Sequence, residues 1–149
     1  MTQIAAAPPE PPTADLATAA LPTTTGKLAS IADDHIELAI SDSDYRLHLV
    51  TDSPINANVG DRVIGTIHVR AKRVDITGTG GRFIEPIYGR PRRLQGRIVG
   101  GDVTDNHIFV ACGATVIVTF TDSRQNADDF DIGQIVGFDI ERGATFEPV

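Results

Sequence analysis

Leu94-Gln95-Gly96-Arg97-Ile98-Val99, then His107-Ile108-Phe109-Val110-Ala111-Cys112, then Thr115-Val116-Ile117-Val118-Thr119-Phe120-Thr121 follow one another with only Gly- and Asp-bearing breaks between them. Short apolar and β-branched runs bounded by turn residues read as strands, not helices. This stretch decides the fold because the chain contains it twice. Gly96-Arg97-Ile98, Asn106-His107-Ile108 and Thr121-Asp122-Ser123 echo Gly26-Lys27-Leu28, Asp34-His35-Ile36 and Thr51-Asp52-Ser53. Ile132-Gly133, ahead of Val136, likewise echoes Val59-Gly60 ahead of Val63. The spacing implies an internal duplication of a unit of about 70 residues, and a repeat sets the domain plan before single strands are assigned.

In the first copy, Leu28 and Ile31 begin a strand that Asp33-Asp34 turns. Residues 35–40 and 45–49 then alternate around Ile36, Leu38, Ile40, Leu47 and Leu49, placing one set of side chains in a core. Asp52-Ser53-Pro54 reads as a helix or turn start, and Gly60-Asp61 launches a long fourth strand through Val63, Ile67 and Val69 towards Ile76. In the second copy, Asp122-Ser123 is an N-cap signal for a short helix over 125–130, followed by strands over 135–140 and 144–148. Phe146-Glu147-Pro148-Val149 matches Phe83-Ile84-Glu85-Pro86-Ile87 as a candidate fifth strand, with one residue inserted in the first copy.

Three strands, a short helix and two strands, with Gly60-Asp61-Arg62-Val63-Ile64-Gly65 and Gly133-Gln134-Ile135-Val136-Gly137 at the fourth strand, resemble the oligonucleotide/oligosaccharide-binding (OB) fold over residues 26–149. The pair is similar to uncharacterised bacterial tandem-barrel proteins, which supply no activity to transfer. The resemblance implies an all-β chain with two tandem five-stranded OB-like barrels, 26–92 and 93–149, each with a short helix between strands 3 and 4. The alternative is one ten-stranded sandwich in which the repeats exchange strands. Residues 1–25 hold five prolines, seven alanines and six threonines without a hydrophobic period, so a flexible tail is expected there. That segment does not read as a secretory signal, and no apolar run is long enough to span a membrane. One cysteine fits a reducing, cytoplasmic setting.

The net charge of −7 opposes general attraction to nucleic acid, but it is unevenly spread. Nine of the 13 basic residues lie between Arg62 and Arg97 with only two acids, a local charge of +7 against −14 elsewhere. Within that segment Arg70, Lys72, Arg73, Arg82, Phe83, Tyr88, Arg90, Arg92 and Arg93 form the candidate binding set. Cations interleaved with aromatic rings suit single-stranded nucleic acid, with charge for phosphates and flat faces for bases. In the OB fold the ligand instead meets strands 2 and 3 and the loops at their end. The first copy's strand 2–3 connection, Ser41-Asp42-Ser43-Asp44, repels phosphates.

Other chemical signals are weaker. His35 and His107 occupy matching positions without a repeated carboxylate beside them, so a turn role explains them better than a metal. Cys112 ends an apolar strand with no activating base nearby in sequence. Asp128, Asp129 and Asp131 lack calcium-loop spacing, and Gly78-Thr79-Gly80-Gly81-Arg82 lacks the lysine and helix of a phosphate loop and reads as a hairpin tip. With no catalytic set, metal or cofactor motif, the expectation is a non-enzymatic binding or assembly module acting through protein partners or self-association. Binding of single-stranded nucleic acid is the alternative.

Overall fold

The computed structural model describes residues 20–149, so most of the expected tail lies outside the described residues. Its last two residues are structured, because strand β1 (Thr24–Ile31) begins inside it. Thr24 is buried, and its hydroxyl donates to the Thr115 carbonyl, which ties the start of β1 to the other half of the chain. The strands that follow are β2 (Ile36–Ile40), β3 (Arg46–Leu49), β4 (Arg62–Ile76), β5 (Phe83–Glu85), β6 (Tyr88–Gly89), β7 (Arg93–Asp102), β8 (His107–Ala111), β9 (Thr115–Phe120), β10 (Ile135–Ile140) and β11 (Thr145–Pro148). The described residues are all-β, in keeping with their period-two runs.

No α-helix occurs among the described residues. The helix expected over 125–130 is instead one 3-10 turn, Ala127–Asp129, and no helix joins β3 to β4. Side chains hold the backbone in turns there: Asp122 Oδ1 accepts from Arg124 N at 2.9 Å, and Asp129 Oδ2 accepts from Asn126 N at 2.9 Å. Such local bonds compete with helix formation, and a segment this short cannot nucleate a helix unaided.

β4 organises everything else. Its residues 62–65 pair with β1, 65–68 with β11, 67–71 in parallel with β9, and 71–76 with β10. β1, β2 and β3 pair in order, and Val50 just beyond β3 bridges Thr145 in parallel, so one circuit runs β1-β2-β3-β11-β4 and back. The other runs β7-β8-β9-β4-β10 and back. Both enclose parts of one continuous core that includes Leu28, Leu38, Leu49, Ile98, Val110, Phe138 and Phe146.

Local geometry recurs between the circuits. Gly26 faces Val63 as Gly96 faces Val136, and β1 and β7 each bulge after Leu28 and Ile98. Gly60 N donates to Leu28 O at 2.7 Å and Gly133 N to Ile98 O at 2.8 Å, with φ of 96° and 100° that favour glycine.

The fifth-strand match from the sequence takes a different form here. Phe83–Glu85 pairs with β7 rather than with β4, so 77–82 is a loop between strands that do not pair with each other, not a hairpin tip. β11 occupies the place beside β3, while the C-terminal half of β4 lies beside β9 and β10. Pairing therefore crosses the 92/93 boundary on both sides.

The outer edge of β4 is covered by one side chain. Gln125 Oε1 accepts from Val74 N at 2.8 Å and its Nε2 donates to Val74 O at 2.7 Å, as a paired strand would. Gln125→Ala is expected to cost about 1–3 kcal/mol, because Val74's part-buried backbone groups lose their partner; urea denaturation measures it.

Candidate ligand-binding face

The nine basic and aromatic residues singled out above are spread over β4, the 77–82 loop, β5, β6 and the start of β7 with its approach. Arg70 pairs with Glu141 at 3.0 Å, Arg93 with Asp139 at 3.2 Å and Arg73 with Asp75 at 3.0 Å. Strand register explains one of these contacts, because Asp139 on β10 faces Arg93 on β7, whereas Arg73 reaches Asp75 two residues along its own strand. Exposed ion pairs add little stability, but they draw positive charge away from any ligand. Lys72 and Arg92 are exposed, Arg82 sits in the 77–82 loop, and Phe83 is half-buried in β5. Of the nine, Tyr88 and Arg90 are the two that come up beside the end of β3.

There they join residues the sequence did not single out. Ile36, Leu38, Leu47 and Leu49 point into the core, so Glu37, Arg46 and His48 share the opposite face of β2 and β3. Glu37 is nonetheless buried. Its Oε1 accepts from the Tyr88 hydroxyl at 2.9 Å, and Arg46 sits against Oε2. His48 Nε2 lies 3.4 Å from Oε1, but without forming a hydrogen bond. Burial pushes the Glu37 carboxyl up, yet the Tyr88 bond and the charges of Arg46 and His48 outweigh it and leave it below the usual range. The same bond raises the Tyr88 phenol, so near neutral pH the pair is carboxylate and protonated phenol.

Rings cover this buried charge. The His35 and His48 imidazoles stack with centroids 4.8 Å apart, and His48 meets Tyr88 edge-on at 5.5 Å. The Arg46 guanidinium lies 5.1 Å from the Tyr88 ring centroid. His35 is itself positioned by Asp34, whose Oδ1 is 2.8 Å from Nδ1. Beside the stacked pair opens a cleft of about 400 Å³ lined by Asp34, His35, His48, Val50, Arg90 and the Arg142-Gly143-Ala144 stretch. It draws on the β1–β2 turn, the end of β3, the approach to β7 and the residues ahead of β11. Alternation alone could have placed Glu37, Arg46 and His48 on one face; nothing local in the sequence announces Arg142.

At the end of β9 the arrangement differs. Asn106 Oδ1 accepts from Ala127 N at 2.7 Å, and Phe130 is buried and stacks on Phe120 with centroids 5.6 Å apart. The 3-10 turn fills that end.

The remaining candidates resolve structurally. His107 opens β8 opposite Thr119, while His35 is engaged with Asp34 and His48, a side-chain role rather than a bond to its own backbone. No group of three or more metal-ligating side chains occurs among the described residues, the 128–131 acids included. Cys112 is fully buried with its thiol pushed up to about 12 by burial, so it is protonated at neutral pH. No helix among the described residues is long and apolar enough to cross a membrane. No protein-family model, curated protein or solved structure matches the chain.

Proposed function

We propose that the chain is a non-enzymatic binding module made of two OB-like rings that arose by duplication and exchange their fifth strands, and that its ligand is single-stranded nucleic acid. On this reading 26–92 and 93–149 are repeats, but not separable domains. β11 completes the first ring and the C-terminal half of β4 completes the second, each parallel to the third strand of its ring. That parallel pairing and the circuit order support the reading of two five-stranded OB-like rings.

The observation that carries the function is the cleft at the end of β3. In the OB fold the ligand lies against strands 2 and 3 and the loops flanking them. Here that place holds the stacked His35 and His48 rings, with Arg90 and Arg142 at the same cleft. Ring faces suit bases and guanidinium groups suit phosphates. The closed end of β9, capped by Phe130, suits one binding ring and one structural ring. Assembly through protein partners is the weaker reading, because three arginines of the basic segment already have acid partners within the chain.

Fluorescence anisotropy with a labelled short oligothymidylate at low salt tests this. Binding in the micromolar range is expected, with a log–log salt slope of about −1.4 for two phosphate contacts. His48→Ala and Arg142→Ala should each weaken it about tenfold, the value of one stacked base or one good ionic contact. Binding indifferent to both substitutions removes the cleft from the account. Absent binding, with solution mass rising with concentration in light scattering, returns self-association to first place.

A further inference from the structure

A second groove lies apart from that cleft. One part, of about 320 Å³, is lined by Gly80, Gly81, Arg82, Gly96 and Arg97 among others. A neighbouring part, of about 210 Å³, includes Thr25, Ser41 and Thr115. Arg82 and Ala111 line both, so the two run together.

The chain carries 20 acidic residues against 13 basic ones, yet no carboxylate lines either part. Arg46, Arg70, Arg73, Arg93 and Arg124 each have an acid partner. Arg82 and Arg97, like Arg62, Arg90, Arg92 and Arg142, have no Asp or Glu partner among the described residues. Arg97 is held in place all the same, because its Nη1 donates to the Gly133 carbonyl at 2.8 Å. Gln95 Nε2 donates to Gly81 O at 2.8 Å and fixes the glycine loop beside it. Three glycines keep this end free of side chains, and hydroxyls line the far end. Two uncompensated guanidinium groups in an acid-free groove make a site for an anion with several oxygens.

We propose that this groove is a second binding site, which takes a phosphate-bearing ligand between Arg82 and Arg97. Guanidinium groups hold phosphate oxygens by paired N–H donation, and Thr25, Ser41 and Thr115 supply hydroxyl donors along the groove. The ligand is either a small phosphate compound or the backbone of a nucleic acid. The site stands on its own residues and does not depend on the His35–His48 cleft.

The test is a titration of the isotope-labelled full chain with pyrophosphate, followed by the Gly80 and Gly81 amides and the Arg82 and Arg97 Nε–H signals. Saturable shifts with a millimolar or tighter midpoint are expected. Arg82→Gln and Arg97→Gln should each weaken binding about tenfold, and His48→Ala should leave it unchanged. The Arg82 side chain makes no hydrogen bond among the described residues, so Arg82→Gln remains informative if loss of the Gly133 contact disturbs the Arg97 variant. A parallel titration with the short oligothymidylate separates the sources. The same shifts at lower concentration identify a nucleic-acid backbone, and shifts from pyrophosphate alone identify a small phosphate compound. No shift at about 10 mM pyrophosphate overturns the proposal. So do equal shifts from chloride at matched ionic strength, or binding that survives both glutamine substitutions. The His35 and His48 signals report the first cleft separately, so failure at one site is not mistaken for failure at the other.

Discussion

Gly96→Ala is expected to destabilise the protein by about 3 kcal/mol or more, at the upper end of what overpacking costs. A Cβ at this position lies 2.1 Å from the Ala111 carbonyl oxygen and 2.7 Å from its carbon. Those atoms belong to the backbone of β8, which is locked in register with β7 and β9 and cannot step aside as a side chain can. Gly26 holds the matching place in β1. Its Cβ meets the Ala39 carbonyl oxygen at 2.7 Å and the end of the Leu38 side chain at 2.9 Å, where some relief is available. Gly26→Ala should therefore cost less than Gly96→Ala, though still more than an ordinary surface change. Urea denaturation followed by circular dichroism ranks the two. A Gly96→Ala protein within about 0.5 kcal/mol of the parent contradicts the close crossing of β7 and β8.

Phe146→Ala is expected to cost about 3–5 kcal/mol, the range for deleting a fully buried phenyl ring. Phe146 is 0% exposed and its ring lies on Gly65, whose Cβ, if present, would sit 2.6 Å from ring atom Cζ. The residue is three before the last of the sequence, yet the strand that carries it pairs with β4 and meets Val50 beyond β3. The loss should appear first in the circuit containing β1, β2 and β3. Hydrogen exchange of the intact variant should show Val50 and Phe146 amides opening before those of β8 and β9. Equal protection across both circuits contradicts that localisation.

Most strands were legible in the sequence because their signals are local. Alternation in 35–40 and 45–49, and the glycines at 60 and 133, report on immediate neighbours. Partner choice is not local. Phe83 and Phe146 sit in nearly the same motif, and nothing in either stretch says which one lies against β4. The one sequence hint is negative: no glycine or proline interrupts residues 66–76, so β4 can run on past the first circuit into the second. Residues 125–130 form turns rather than the expected helix because Asp and Asn serve caps and tight turns equally well. The candidate site was legible only in part. The residue types of Tyr88 and Arg90 point to binding, whereas His35 reads from the sequence as a turn residue. Arg142 reaches the cleft only because the last strand returns to the first half of the chain.

That return underlies both the fold and the cleft, and nuclear Overhauser spectroscopy of the full chain tests it most directly. A contact between Val50 Hα and the Phe146 amide proton is expected, with slow exchange of that amide, as its 2.8 Å bond to the Val50 carbonyl requires. A rapidly exchanging 145–148 segment with no contact to Val50 would contradict it.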